Sequence, residues 1–282
     1  MLKIDNLKKS YGDFQLELSM KVEAGQVTGL LGRNGTGKST TIKAILGLIH
    51  PDQGQVTLFG QPVDQLNAID KEKIGVVLTD SNFSRIFTCE DVIGLLDKSY
   101  SKFDKEMFRQ FINQHKIDWK KKFEDFSTGM LAKIKLITAI SHRAQFLIMD
   151  EPTAGLDVVA REELLDLLRT YLEEYPETSI LISSHIASDL EDLCDDFYLI
   201  HDGKLVLHEE MDRLLSAYGV IKIRQDDFDK LDQQYLLEIR PESYGFRCLT
   251  YERQFYLDNY PNLIVEKASV DELIKLMAGD KK

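Results

Sequence analysis

The hydrophobic pattern of the first fifty residues predicts two strands followed by a helix. Every second residue from 16 to 22 is apolar, which is typical of a half-buried strand. A second apolar run, 26–31, leads into a glycine-rich stretch, and from 38 to 48 the apolar residues fall three or four positions apart on one side. The change of period from two to 3.6 marks the passage from strand to helix.

The rest of the first two thirds of the chain continues this alternation. Strands are predicted at 55–59, 73–78, 146–149 and 179–182, and helices at 90–113, 128–141, 160–172 and 187–193. Strands that alternate with helices predict a parallel sheet with helices packed on it. The segment between 91 and 126 is predicted as a mostly helical insertion.

A separate accessory domain is predicted at the end of the chain. The polar content rises near 218, and short β-rich runs follow at 220–223, 246–250 and 263–265. Ser269 opens a final helical pattern, 270–277. We therefore divide the chain into a main domain, 1–218, and a small α+β domain, 219–282.

Composition limits the classes of function. The chain has 282 residues, of which 43% are hydrophobic, and this suffices for one large domain with a small addition. Its formal net charge of -12 argues against the basic surface that non-specific nucleic-acid binding requires. The three scattered cysteines indicate reduced thiols, and no apolar run approaches the roughly 18 residues of a spanning helix. We expect no nucleic-acid partner, and a separate protein to cross any membrane.

A phosphate-binding loop is the strongest motif. The residues from Gly32 to Ser39 match G-x-x-x-x-G-K-[ST], between a predicted strand and a predicted helix, and this context argues against an incidental glycine-rich turn. Backbone amides and the Lys38 ammonium would bind phosphates, and Ser39 would bind Mg²⁺. The predicted nucleotide-binding residues are Gly32, Arg33, Asn34, Gly35, Thr36, Gly37, Lys38, Ser39 and Thr40.

Two adjacent acids end the predicted strand at 146–149. Because successive residues of an extended segment point to opposite sides, Asp150 and Glu151 should have different functions. Asp150 is predicted to hold Mg²⁺, and Glu151 to act as the general base for an attacking water. A strand that simply ends in a charged turn is the alternative, which the phosphate loop disfavours.

Further motifs resemble those of ABC ATPases, in the family's order over about residues 1–217. The segment 152–157 resembles the D-loop, 126–130 resembles the signature, and 183–185 resembles the switch-histidine segment. The resemblance implies a P-loop NTPase ABC-ATPase fold: an α/β fold with a parallel core sheet, an antiparallel β subdomain and a helical subdomain at about 83–141. Each of these motifs also has a structural alternative, such as a core aromatic or a helix N-cap.

The resemblance also implies the remaining site residues. Tyr11 would stack on adenine, and His185 would contact the γ-phosphate. Ser127, Gly129 and Asp157 would complete the ATP site of a second copy packed head to tail.

Two departures from the family pattern affect these expectations. Thr128 and Met130 replace the first glycine and the last residue of the signature. Thr79 and Asp80 stand where the family has the Q-loop glutamine, and both are predicted as magnesium ligands.

The implied function is that of the ATP-hydrolysing subunit of a bacterial exporter for a peptide, antibiotic or lipid-like substrate. Its tail is similar to those of antimicrobial-peptide and phenol-soluble-modulin exporter ATPases. We expect ATP and Mg²⁺ as ligands, and a homodimer or paired ATPase subunit that is peripheral to the cytoplasmic face of the plasma membrane. A transmembrane permease should dock on the helical insertion at 83–126.

Three alternatives stay open. An importer subunit would carry the same motifs. A soluble ABC ATPase of DNA repair, translation or cluster assembly usually has a coiled-coil insertion, two fused halves or a basic face, none of which the sequence indicates. A regulatory nucleotide-binding module without turnover is disfavoured by the Asp150–Glu151 pair.

Overall fold

The computed structural model describes residues 1–79, 83–186 and 188–279. The strands are β1 (Leu2–Tyr11), β2 (Phe14–Val22), β3 (Val27–Leu31), β4 (Gln53–Leu58), β5 (Gln61–Pro62), β6 (Ile74–Val77), β7 (Phe146–Asp150), β8 (Ser179–Ser184), β9 (Asp196–His201), β10 (Lys204–Glu210), β11 (Gly219–Arg224), β12 (Leu236–Glu242), β13 (Gly245–Thr250) and β14 (Ile264–Lys267). The helices are α1 (Lys38–Ile45), α2 (Ala68–Lys71), α3 (Cys89–Ser99), α4 (Lys105–Gln114), α5 (Thr128–Ile140), α6 (Val158–Glu174), α7 (Ser188–Glu191), α8 (Met211–Ala217), α9 (Gln225–Phe228), α10 (Arg253–Asn259) and α11 (Val270–Met277). Within these ranges, no helix is both long and apolar enough to span a bilayer.

Ten strands form one large sheet in the order β5-β4-β1-β2-β10-β9-β3-β8-β7-β6. Strands β9, β3, β8, β7 and β6 pair in parallel with one another, and β2 pairs in parallel with β10. The pairs β1–β2, β1–β4, β4–β5 and β9–β10 are antiparallel. The predicted fold class, a parallel core with an antiparallel β subdomain and a helical insertion, is confirmed. Since β3, β7 and β8 run parallel, their carboxyl ends meet at one edge of the sheet, where α/β proteins bind ligands.

The central strands are apolar because both of their faces are covered. All five residues of β7 are buried, and all five of β3 are buried as well. Helices α5 and α6 pack against each other and α5 packs on β6. A strand covered on both sides lacks polar alternation, so its short apolar run predicted it correctly.

The helical insertion differs from the prediction in one respect. The predicted helix at 90–113 is two helices, α3 and α4. Helix α3 starts with a capping box between Thr88 and Asp91, and Asp104 starts α4 by accepting a hydrogen bond from Met107 N–H. The cap at Asp104 was available in the sequence, because aspartate is a preferred N-cap residue.

Strand β1 was missed because its alternation is interrupted. Leu2, Ile4 and Leu7 are buried, and the register with β2 shifts between Ile4 and Leu7. Asn6 lies in this irregularity with φ 48°. An extra residue in a strand moves the apolar positions out of period two, so the local pattern no longer indicates a strand.

The C-terminal residues form a second sheet, in the order β12-β13-β11-β14, with its own core around Ile221, Cys248 and Tyr256. The last helix, α11, joins the larger core instead: Val270 N–H donates to Glu191 Oε1 of α7 at 2.9 Å. Ser269 caps α11 as predicted. The boundary at 218/219 stays a prediction.

Cys89, Cys194 and Cys248 are buried free thiols in the described chain. Burial raises the pKa of the Cys89 thiol to about 12. Burial also raises the pKa of Cys248 to about 12. The reactive thiolate is therefore scarce at neutral pH, and a cysteine introduced on the surface can be labelled selectively.

We expect Gly75→Ala to destabilise the sheet where β6 meets α5. A methyl group at Gly75 would lie inside contact distance of Ala139 O and Leu147 Cδ2. Overpacking of this kind costs about 1–3 kcal/mol of unfolding free energy, measurable by urea denaturation. Gly94→Ala in α3 is the matched control, since nothing lies within 4 Å of the added methyl and alanine favours a helix. Equal stability of the two variants would contradict the prediction.

Candidate nucleotide-binding site

The phosphate loop connects β3 to α1, as the sequence predicts. Gly37 precedes the helix with φ 113°, and a Cβ there would lie 2.7 Å from Leu16 Cδ1, so glycine is required. The first helical hydrogen bond runs from Thr41 N–H to Gly37 O at 2.8 Å. Since glycine has no side chain with which to cap the helix, the amides of the first turn stay available to an anion.

Lys38 is folded back over this loop. Its side chain is 5% exposed, and its ammonium donates to Gly32 O at 2.7 Å and Arg33 O at 3.0 Å. The same Nζ lies 3.0 Å from Glu151 Oε1, which is buried and has no aligned hydrogen-bond donor. Lys38 and Glu151 therefore form an ion pair whose geometry is not that of a hydrogen bond.

The two acids at the end of β7 have different partners. Asp150 is buried, and its carboxylate accepts a hydrogen bond from Ser183 Oγ at 2.7 Å. Glu151 adopts φ 51°, in the left-handed region, and its Oε2 lies 2.6 Å from His185 Nδ1. Because an ionised carboxylate only accepts hydrogen bonds, Nδ1 of His185 carries the proton in this contact.

These groups share one cavity of about 480 Å³. It is lined by Phe14, Asn34, Gly35, Gly37, Lys38, Ser39, Thr40, Thr79, Asp150, Glu151, Ala154 and His185. An adjoining cavity of about 530 Å³ shares Asn34 and His185 and adds Arg33, Thr36, His201 and Asp202. The tertiary structure thus brings the predicted loop, acids and histidine together.

The donor set fits a nucleoside triphosphate with Mg²⁺. Free first-turn amides and a buried ammonium are donors for phosphate oxygens. The exposed Ser39 hydroxyl and the Asp150 carboxylate are the oxygen ligands that Mg²⁺ prefers. Glu151 lines the same cavity, and its Oε1 is buried without a hydrogen-bond partner.

The aromatic side chain at the cavity is Phe14. Tyr11, predicted to stack on adenine, is 48% exposed at the end of β1 and is not among the described residues that line the cavity. Phe14 pairs with Tyr11 across the β1–β2 turn. Sequence reasoning missed Phe14, although it starts the strand that passes under the glycine loop.

Ser127, Gly129 and Asp157 line neither of these cavities in the described chain. Ser127 Oγ accepts from Met130 N–H at 3.3 Å, so it caps α5, and Asp157 caps α6. Gly129 packs on Ala160, where a Cβ would lie 2.7 Å from the alanine methyl. All three have structural functions within the chain, and their predicted contacts with ATP stay a prediction.

Of the predicted magnesium ligands Thr79 and Asp80, the structure describes only Thr79. Thr79 lines the cavity, and its hydroxyl donates to the backbone carbonyl of Asp150 at 2.8 Å. Asp80 lies outside the described residues.

One buried hydrogen bond near the site could not be predicted from the sequence. Thr153 Oγ1 donates to Asp189 Oδ2 at 2.6 Å, and Arg161 lies 3.5 Å from the other oxygen of this carboxylate. The contact joins the segment after Glu151 to α7, which follows His185. Its members are far apart in sequence, so pattern analysis could not pair them.

Comparison with known proteins gives a consistent result. A family model described as ABC transporter matches residues 16–154. The bacitracin transport ATP-binding protein BcrA of Enterococcus faecalis is 32% identical over 255 residues, which are 89% of this chain and 81% of that protein. The linearmycin resistance ATP-binding protein LnrL of Bacillus subtilis (strain 168) is 29% identical over 92% of this chain and 85% of that protein.

Solved structures share the fold. A structure described as the ATP binding subunit of an ABC transporter superposes with a TM-score of 0.67 and 25% identity, over 76% of this chain and 91% of that one. A dimeric ATP-binding cassette, MJ0796, bound to ADP and Pi has a TM-score of 0.65 and 21% identity, over 75% of this chain and 99% of that one.

Proposed function

Because this chain belongs to the ABC transporter family as an ATP-binding subunit, we propose that it powers the export of a peptide, antibiotic or lipid-like substrate through a separate transmembrane partner. It is an ATPase. The observation that carries the ATP-driven part of the proposal is the meeting of Lys38 and Glu151 in one cavity, 3.0 Å apart. The proposed phosphate-binding group and the proposed base are thus adjacent in one cavity.

Nucleotide binding requires Lys38 to change partners. Its ammonium contacts Glu151 and two loop carbonyls, and phosphate oxygens would take over these contacts. The amides of the first turn of α1 bind the same phosphates without rearrangement. Ser39 and Asp150 would hold Mg²⁺. When bound, this ion would offset the negative charge that develops on the phosphate oxygens during hydrolysis.

Hydrolysis requires a base and a group that orients it. Once Lys38 has moved to phosphate, Glu151 Oε1 is free to accept a proton from water. The 2.6 Å contact with His185 keeps the carboxylate at the cavity wall. His185 also lines the cavity, with its side chain 36% exposed, and would contact a γ-phosphate there.

We propose that a second copy completes the site. In one chain, Ser127, Gly129 and Asp157 lie outside the described lining of the cavity. The exposed Val158 and Val159, 76% and 68%, follow Asp157 and would be covered by the partner. The dimer solved for a related cassette supports this arrangement.

The transmembrane partner is proposed to dock on the helical insertion. A groove of about 630 Å³ is lined there by residues that include Val76, Phe83, Leu95 and Tyr100, of which Leu95 is 50% exposed. Apolar surface of this kind marks a protein contact. In such a complex, the chain would lie at the cytoplasmic face of the membrane. The names of BcrA and LnrL concern antibiotics, and this supports export of a related cargo.

Site-directed cross-linking tests the transport function. Leu95→Cys places a reactive thiol in the groove, and Ile264→Cys places one on the second sheet, where Ile264 is 60% exposed. The native thiols are buried, so labelling is selective. In membranes of cells that express the full chain, Leu95→Cys should cross-link to a spanning protein and Ile264→Cys should not. Cross-links to a spanning protein only from Ile264→Cys would refute docking on the helical insertion. Cross-links to no membrane protein from either position would favour a soluble ABC ATPase.

We expect Phe14→Ala to weaken ATP binding about fivefold to a hundredfold, since stacking of a base on an aromatic ring contributes about 1–3 kcal/mol. Tyr11→Ala, at the last position of β1, should change the affinity less than twofold. Isothermal titration calorimetry with ATP measures both. A larger loss in Tyr11→Ala than in Phe14→Ala would favour Tyr11, as predicted from the sequence, as the adenine-stacking residue.

A further inference from the structure

The peptide that joins Asp150 to Glu151 is held from both neighbouring strands. On the β8 side, Glu151 N–H contacts Ser183 O at 3.2 Å and Ser183 Oγ at 3.0 Å. On the β6 side, the carbonyl of Asp150 accepts the hydroxyl proton of Thr79 at 2.8 Å. Since β7 lies between β8 and β6, the N–H and the C=O of this one peptide are each held by a hydrogen bond from one side.

The fixation matters because the backbone turns at Glu151. Its φ of 51° lies in the left-handed region, which residues with a Cβ adopt only when surrounding contacts hold them. Ala154 N–H donates to Glu151 O at 3.1 Å, so the chain reverses there. This turn directs the carboxylate to Lys38 and His185. If Glu151 continued the strand in an extended conformation, its side chain would point to the opposite face of the sheet from that of Asp150.

On the β6 side, the hydrogen bond to the Asp150 carbonyl does not come from strand pairing. The last paired residues of β6 and β7 are Val77 and Met149. The Asp150 carbonyl lies one residue beyond that pair, and the side chain of Thr79 reaches it instead. The position is partly buried, where a lost hydrogen bond is not fully replaced by water.

We propose that Thr79 is a positioning residue for hydrolysis. Its hydroxyl holds the Asp150–Glu151 peptide so that Glu151 keeps its left-handed turn and its carboxylate stays at the attacking water. The inference rests on the proposed function and adds a residue to it. It assigns the hydroxyl proton to a backbone carbonyl, and the expectation that the Thr79 oxygen binds magnesium stays a prediction.

The test compares Thr79→Val, which keeps the shape and removes the hydroxyl, with Thr79→Ser, which keeps the hydroxyl. In the full-length protein, Thr79→Val should lower kcat about three- to tenfold, the effect of one lost hydrogen bond. The KM for ATP and the Mg²⁺ concentration for half-maximal activity should change less than twofold, because binding groups are untouched. Thr79→Ser should recover most of kcat.

A double variant and an exchange measurement separate positioning from a purely structural effect. In a Glu151→Gln background, Thr79→Val should lower the residual rate no further, since the residue acts through Glu151. In nucleotide-free protein, amide hydrogen exchange at 150–154 should be faster in Thr79→Val than in Thr79→Ser.

Four results would overturn the inference. They are a wild-type kcat in Thr79→Val, no recovery in Thr79→Ser, an additive loss in the Glu151→Gln background, and a loss that excess Mg²⁺ restores. The last would make Thr79 a metal ligand. A wild-type protein without any ATP turnover would refute the proposed function instead, and the exchange measurement would still report whether Thr79 fixes the peptide.

Discussion

Glu151→Gln is expected to keep ATP binding and to lower the hydrolysis rate by about 10²–10⁴-fold, the usual contribution of a general base. The amide has the size of the carboxylate but does not take a proton from water. It also ends the charge contact with Lys38 at 3.0 Å, so that ATP binds without displacing that partner. Steady-state phosphate release and calorimetry with ATP give the two quantities.

The control for this variant is Glu106→Gln, which removes one carboxylate from an exposed ion pair with Arg109 on α4. It should hydrolyse ATP at the wild-type rate, because such surface pairs contribute little. With Mg-ATP, Glu151→Gln should also form a dimer that size-exclusion chromatography detects. Hydrolysis by Glu151→Gln at the rate of the control would remove Glu151 from the function of base.

Lys38→Ala is expected to weaken ATP binding about tenfold to a hundredfold, because a charge-assisted hydrogen bond contributes about 1.5–3 kcal/mol. The Lys38 side chain is 5% exposed, so its charge acts on a bound phosphate with little screening by water. Calorimetry measures the affinity. Lys43→Ala on the same helix is the matched control, since it removes the same charge away from the described lining of the cavity.

Lys38→Ala also leaves Glu151 with one charge partner fewer in a site where its side chain is 11% exposed. An uncompensated acid there would lower the stability and repel the phosphates. The double variant Lys38→Ala/Glu151→Gln removes that repulsion, so it should bind ATP better than Lys38→Ala and still worse than the wild type. Unchanged affinity in Lys38→Ala would refute the phosphate-loop assignment.

Local patterns predicted the chemistry of the site well where a short segment carries both the residues and their geometry. The segment from Gly32 to Ser39 forms a loop between a strand and a helix, because its glycines and the apolar residues on either side determine that turn. Ser269 is a similar case, since an N-cap depends on one side chain and the next few amides. The bulge in β1 shows the limit: one irregular residue, Asn6, removes the alternation on which the prediction depends.

The sequence by itself determined the α/β fold class, the phosphate loop, the acidic strand end and the family that they indicate, because each is recognised from residues that are close together in the chain. The tertiary structure alone decided that Lys38 contacts Glu151, that Phe14 lines the cavity and Tyr11 does not, and that Thr79 donates to Asp150. These contacts join strands and loops that are distant in sequence. Their geometry follows from the order and register of the strands in the sheet, which no local pattern encodes.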